Sequence, residues 1–110
     1  MEERRQYPRH AAGLRVEVFD RYSGRSLGRV ADLSSEGFML CGDAVPAADS
    51  VHECLIVPLP PLSEVDEIIA GVDCLWSRPG QNGQLGWAGF HIIDLSDDQS
   101  LALERLIALL

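Results

Sequence analysis

An all-β domain closed by one C-terminal helix is the fold class the sequence predicts. Three observations predict it. About six short segments alternate apolar and polar residues or run β-branched, and Gly, Pro, Ser or Asp separates each from the next. The hydrophobic period then changes to that of a helix after Asp94. Finally, 110 residues support one domain with one modest core and not two. Strands at this spacing build a small barrel or a sandwich.

Leu14 to Asp20 alternates apolar and polar residues, the pattern of a half-buried strand. Arg21 to Arg25 carries turn residues and closes a hairpin onto a second strand, Ser26 to Leu33, weakened by Gly28. Ser34-Ser35-Glu36-Gly37 breaks that strand, and Phe38 to Cys41 resumes as a short apolar one. Gly42 to Ser50 reads as loop. Val51 to Leu59 is a further strand, interrupted at Pro58, and Pro60 to Ser63 forms a corner of fixed, extended backbone. Glu67 to Trp76, with Ile68, Ile69 and Val72, is the central-strand candidate. A turn-rich stretch from Ser77 to Gly83 leads to the last strand, Leu85 to Ile93. Ser96 and Gln99 then form a capping-box pattern, with Asp97 and Asp98 at the positive end of the helix dipole. Leu103, Leu106, Ile107 and Leu110 share one helical face, which should lie against the sheet and close one side of the core.

Composition narrows the function classes. The chain is 46% apolar and 24% charged, ordinary for a soluble globular protein. No apolar run is long enough to span a bilayer, and no apolar segment follows the charged N-terminus as a secretory signal would require. Three widely spaced cysteines, Cys41, Cys54 and Cys74, suit buried thiols in a reducing compartment, so a cytoplasmic location is expected. The net charge of -8 is unevenly spread. Residues 1–30 hold seven arginines and four acids, residues 31–110 two arginines and thirteen acids, and lysine is absent. An acidic body argues against general nucleic-acid binding, which needs a broad basic surface. A local arginine cluster suits a small anion instead.

That cluster is Arg4, Arg5 and Arg9, with Pro8 limiting the conformations of the segment between them. Guanidinium offers a planar fork of donors that fits phosphate oxygens and the O6/N7 edge of guanine. Asp32-x-Ser34-x-x-Gly37 is the second constellation. Its Asp and Ser either face a ligand edge together or satisfy their own turn, and Gly37 permits a positive φ or a close approach. Trp76 reads as a stacking surface or as a core tryptophan, and Trp87 as packing or surface. Arg78 reads as a solvated loop residue that could add a phosphate contact. His52-Glu53-Cys54 has no Cys-x-x-Cys companion, so no metal is expected. His10 and His91 have no catalytic partner in the pattern. Neither a nucleophile elbow nor a Gly-rich phosphate loop is present, so no catalytic residue and no enzymatic activity are expected.

Taken together and in this order, the two constellations resemble the signature of the PilZ domain family. Its pattern is Arg-x-x-x-Arg in an N-terminal arm, then Asp/Asn-x-Ser-x-x-Gly after the second strand. Arg5 and Arg9 match the first part, and Asp32, Ser34 and Gly37 the second. Gly89-Phe90-His91-Ile92, followed by Asp94-Leu95-Ser96-Asp97 and a leucine-rich helix, looks like the family's last strand and C-terminal helix. The resemblance implies a six-stranded antiparallel β-barrel with a flexible arginine-rich N-terminal arm. The arm would cover residues 1–12, the barrel 13–94 and the helix 96–110 of one domain.

It also implies a receptor for cyclic di-GMP, a bacterial second messenger. Arg5 and Arg9 would contact phosphates and guanine, Asp32 and Ser34 would hydrogen-bond a guanine, and Gly37 would let the turn sit close to it. Trp76 matches the place of an aromatic that stacks on guanine in some members. An arginine where Arg4 stands is associated with two stacked ligand molecules. The expected output passes through an unidentified effector protein once the arm orders on binding. The rival from another class is a nucleotide-independent interaction module of the same fold.

Overall fold

The elements follow in the order β1 (Arg15–Asp20), β2 (Ser26–Leu33), β3 (Gly37–Gly42), β4 (Val51–Leu59), β5 (Ile68–Arg78), β6 (Gly86–Asp94) and α1 (Asp97–Leu109). They are taken from a computed structural model that describes residues 15–63 and 65–110. The strands form a closed barrel in the order β1-β2-β3-β6-β5-β4, with every pairing antiparallel. The β1–β4 pair, from Arg15↔Leu59 to Asp20↔Cys54, is the seam that makes a barrel rather than a sandwich.

Alternation explains the core. Val16 and Val18, Phe38 and Leu40, Cys54 and Ile56, Ile68, Ala70, Val72 and Cys74, and Ala88 and Phe90 all point inward and are buried. From α1, Leu103 and Leu106 join the same cluster, with Ile107 and Leu110 packed partly buried against it. Ser96 caps the helix by accepting from the Gln99 N–H at 3.3 Å. The reciprocal half of a capping box does not form. The Gln99 side-chain oxygen instead accepts from the Ile69 N–H at 2.7 Å, which ties α1 to the start of β5.

Two features differ from the sequence reading. Pro58 does not interrupt β4: it pairs with Val16 and lies beyond the last β4–β5 rung, Ile56↔Ile68, where a missing N–H breaks no ladder. Ser77 and Arg78 extend β5 because Ala88 and Trp87 pair with them, so tertiary pairing overrides their turn propensity. Gly28 weakens β2 without ending it: it sits at φ 145 where β2 and β3 approach closely, and the β1–β2 register shifts beside it. No helix of the described residues is long and apolar enough to cross a membrane.

The thiols differ too. Cys54 and Cys74 are buried, whereas Cys41 is only half-buried, on the outer side of β3. Burial pushes the Cys54 thiol up to about 12 and raises that of Cys74. Both therefore stay protonated and covered near neutral pH. The native protein is expected to react with a thiol reagent at Cys41 alone, and at all three cysteines once denatured. Mass mapping that finds Cys54 or Cys74 labelled in the folded state would contradict this.

Candidate functional site

The turn after β2 is built by its own serine. The Ser34 N–H and hydroxyl both donate to the Gly37 carbonyl, at 2.9 and 3.2 Å, and the Glu36 N–H donates to Ser34 Oγ at 3.3 Å. The Glu36 carbonyl accepts from the Ile92 N–H at 2.8 Å, which fixes the turn to β6. Because β2 ends at Leu33, strand alternation does not relate Asp32 to Ser34; the turn brings the two together. Gly37 is needed for space and not for a positive φ. A methyl group there would lie 2.1 Å from the Phe90 carbonyl oxygen.

Register places the remaining residues. Asp32 on β2 pairs with Met39 on β3, Met39 with Gly89 on β6, and Gly89 with Trp76 on β5. One outward row thus crosses four strands, over three interstrand gaps of about 4.8 Å each. Two bulges make it possible. The β2–β3 register shifts between Val30 and Asp32, and the β5–β6 register between Cys74 and Trp76. Strict alternation from Val72 and Cys74 would bury Trp76. The extra residue, Leu75, turns the indole outward, and 41% of Trp76 is exposed.

Gly89 seats that indole. A methyl on Gly89 would fall 2.1 Å from Trp76 Nε1 and 2.6 Å from Cε2, so the indole packs directly over Gly89 in space that a side chain there would occupy. Asp32, Ser34, Gly37, Met39, Trp76 and His91 line a shallow groove of about 340 Å³. Its floor rests on the Phe38–Phe90 ring stack, whose centroids are 5.2 Å apart. No side chain of the described residues bonds the Asp32 carboxylate. A free carboxylate at one end and an open indole at the other suit a planar ring bearing N–H donors on its edge.

The family model described as PilZ domain matches residues 3–109. The chain belongs to the PilZ domain family. Domains of this family are, in general, cyclic di-GMP-binding modules. Comparison with curated proteins and with solved structures gave no match. Within this PilZ domain, Asp32, Ser34, Gly37 and Trp76 converge on one groove. Arg4, Arg5 and Arg9 lie outside the described residues.

Met39, Gly89 and His91 are groove residues that the sequence reading did not assign. Met39 and Gly89 become visible only through strand register, and His91 only through its pairing with Gly37. Among the described residues no three His, Cys, Asp or Glu side chains converge as metal ligands. His52 instead shares a hydrogen bond of 2.8 Å with Ser50 Oγ.

Proposed function

We propose that this PilZ domain is a non-enzymatic receptor that binds cyclic di-GMP across the Asp32–Trp76 groove. The single observation behind this is the four-strand row, which sets a carboxylate unbonded among the described residues and a half-exposed indole on one outer face. Asp32 would accept from the N1–H and N2–H of a guanine, and Trp76 would stack on its face. The Ser34 hydroxyl, already donating to Gly37, retains acceptor capacity toward the ligand.

Arg5 and Arg9 would supply phosphate and guanine contacts, and Arg4 would favour a second ligand molecule. Chain length allows this. Continuing the Glu17↔Arg29 register brings Arg15, at the start of β1, level with the stretch of β2 just before Asp32. Arg9 is six residues away and Arg5 ten, reaches of up to about 20 and 35 Å. The groove from β2 to β5 spans about 14 Å. Closure of the N-terminal segment over the groove would change the surface offered to an effector protein.

Isothermal calorimetry with cyclic di-GMP tests the reading. Binding at micromolar ligand in near-physiological salt is expected, and Arg5→Ala or Arg9→Ala should weaken it about a hundredfold, since each loses charged contacts. Absence of heat with the unaltered protein overturns it and leaves the nucleotide-independent interaction module. Protection of residues 1–14 from proteolysis by ligand reports the closure.

A further inference from the structure

A second outward row crosses the same four strands, two residues along from the first on β3, β6 and β5 and three on the bulged β2. Arg29 on β2 pairs with Cys41 on β3, Cys41 with Trp87 on β6, and Trp87 with Arg78 on β5. Trp87 is 40% exposed. With Arg78 it lines a cleft of about 440 Å³, and Arg29 and Cys41 line one of about 450 Å³; Leu85 borders both.

The chemistry of this row differs from the acidic body around it. Among the described residues neither the Arg29 nor the Arg78 side chain has a hydrogen bond or an ion pair. Glu17, the cross-strand neighbour of Arg29, instead accepts from Ser26 Oγ at 2.6 Å. The chain has only two tryptophans, and both stand on this face. Trp87 is a diagonal neighbour of Trp76 across the β5–β6 pair, a separation of about 7–8 Å between side-chain origins. An open indole with one guanidinium on the adjacent strand and another two strands away suits a flat base carrying a phosphate.

Resting on the cyclic di-GMP reading, we infer that Trp87 is a second stacking platform for guanine, with Arg78 and Arg29 as phosphate contacts from the barrel itself. The second guanine comes either from the same cyclic dinucleotide or from a second molecule beside it. The two sources share their chemistry and differ in stoichiometry.

The two tryptophans make the test direct. Trp76→Phe leaves Trp87 as sole emitter, and Trp87→Phe leaves Trp76. Cyclic di-GMP is expected to quench the emission of each variant. Calorimetry of Trp87→Ala and Arg78→Ala should show either a fall from two ligands to one, or one ligand bound about tenfold more weakly. The first result assigns the platform to a second molecule, the second to the other guanine of the same molecule. Heat and Trp76 quenching with Trp87 silent, and Trp87→Ala binding as the unaltered protein does, overturn the subsite and spare the receptor reading. Silence of both tryptophans with no heat from the unaltered protein overturns both. Should Trp76→Phe itself lose binding, the Trp87→Ala calorimetry decides alone.

Discussion

Asp32→Ala is expected to weaken cyclic di-GMP binding about a hundredfold while leaving the melting temperature within about 1 °C of the original. Both halves follow from the same fact. The Asp32 carboxylate is exposed and bonds no side chain of the described residues, so no described contact is lost with it. A guanine edge would gain two charge-assisted hydrogen bonds from it. Asp32→Asn keeps one acceptor and the shape but loses the charge, so its effect should be smaller, about tenfold. Calorimetry and thermal melting of the two variants check the prediction. Unchanged affinity in Asp32→Ala would remove the carboxylate from the site, and a large fall in melting temperature would give it a structural role.

The second large effect concerns two glycines that fill the same kind of gap with opposite consequences. At Gly37 a methyl would meet the Phe90 carbonyl oxygen at 2.1 Å and the Phe90 carbonyl carbon at 3.2 Å, both backbone atoms in the adjoining strand. Backbone cannot swing aside, so Gly37→Ala must separate β3 from β6 or break the Glu36–Ile92 bond. About 3 kcal/mol of stability should be lost, together with ligand binding. At Gly89 the methyl would meet the half-exposed Trp76 side chain and no backbone atom among its nearest neighbours. Gly89→Ala should therefore cost little stability and, if cyclic di-GMP binds as proposed, still weaken binding, because the indole proposed to stack on guanine moves. Urea unfolding beside calorimetry separates the two cases. If Gly37→Ala unfolds within 0.5 kcal/mol of the original, the close approach does not constrain the barrel as described.

Much of the fold was legible because one face of each strand is buried and the other is not. That difference writes a period of two into residues such as Val16 and Val18 or Phe38 and Leu40. The helix announced itself by its Ser96 cap and by Leu103 and Leu106 on one face. Pro58 and Ser77 misled for one reason: local propensity says nothing about which partner strand is present. Gln99 behaved likewise, since its better partner, the Ile69 N–H, lies thirty residues away.

The candidate site divides in the same way. Its motif members, Asp32, Ser34 and Gly37, stand close in the chain and could be read as a unit. Trp76 could not be placed on either face from its own strand. Ile68, Ala70, Val72 and Cys74 set an inward count that would have buried it, and only the Leu75 bulge against β6 reverses that count. A bulge depends on the facing strand, so no local pattern encodes it.

By itself the sequence determined the strand and helix segments, the single core, and the short motif whose residue types suit a guanine and its phosphates. Tertiary structure alone decided that the sheet closes through β1 and β4, and that Asp32 and Trp76 share one outward row over Gly89. It also set Trp87, Arg29 and Arg78 in a row beside that one. Composition and period are properties of neighbours along the chain, whereas register is a property of strands that meet only in the fold.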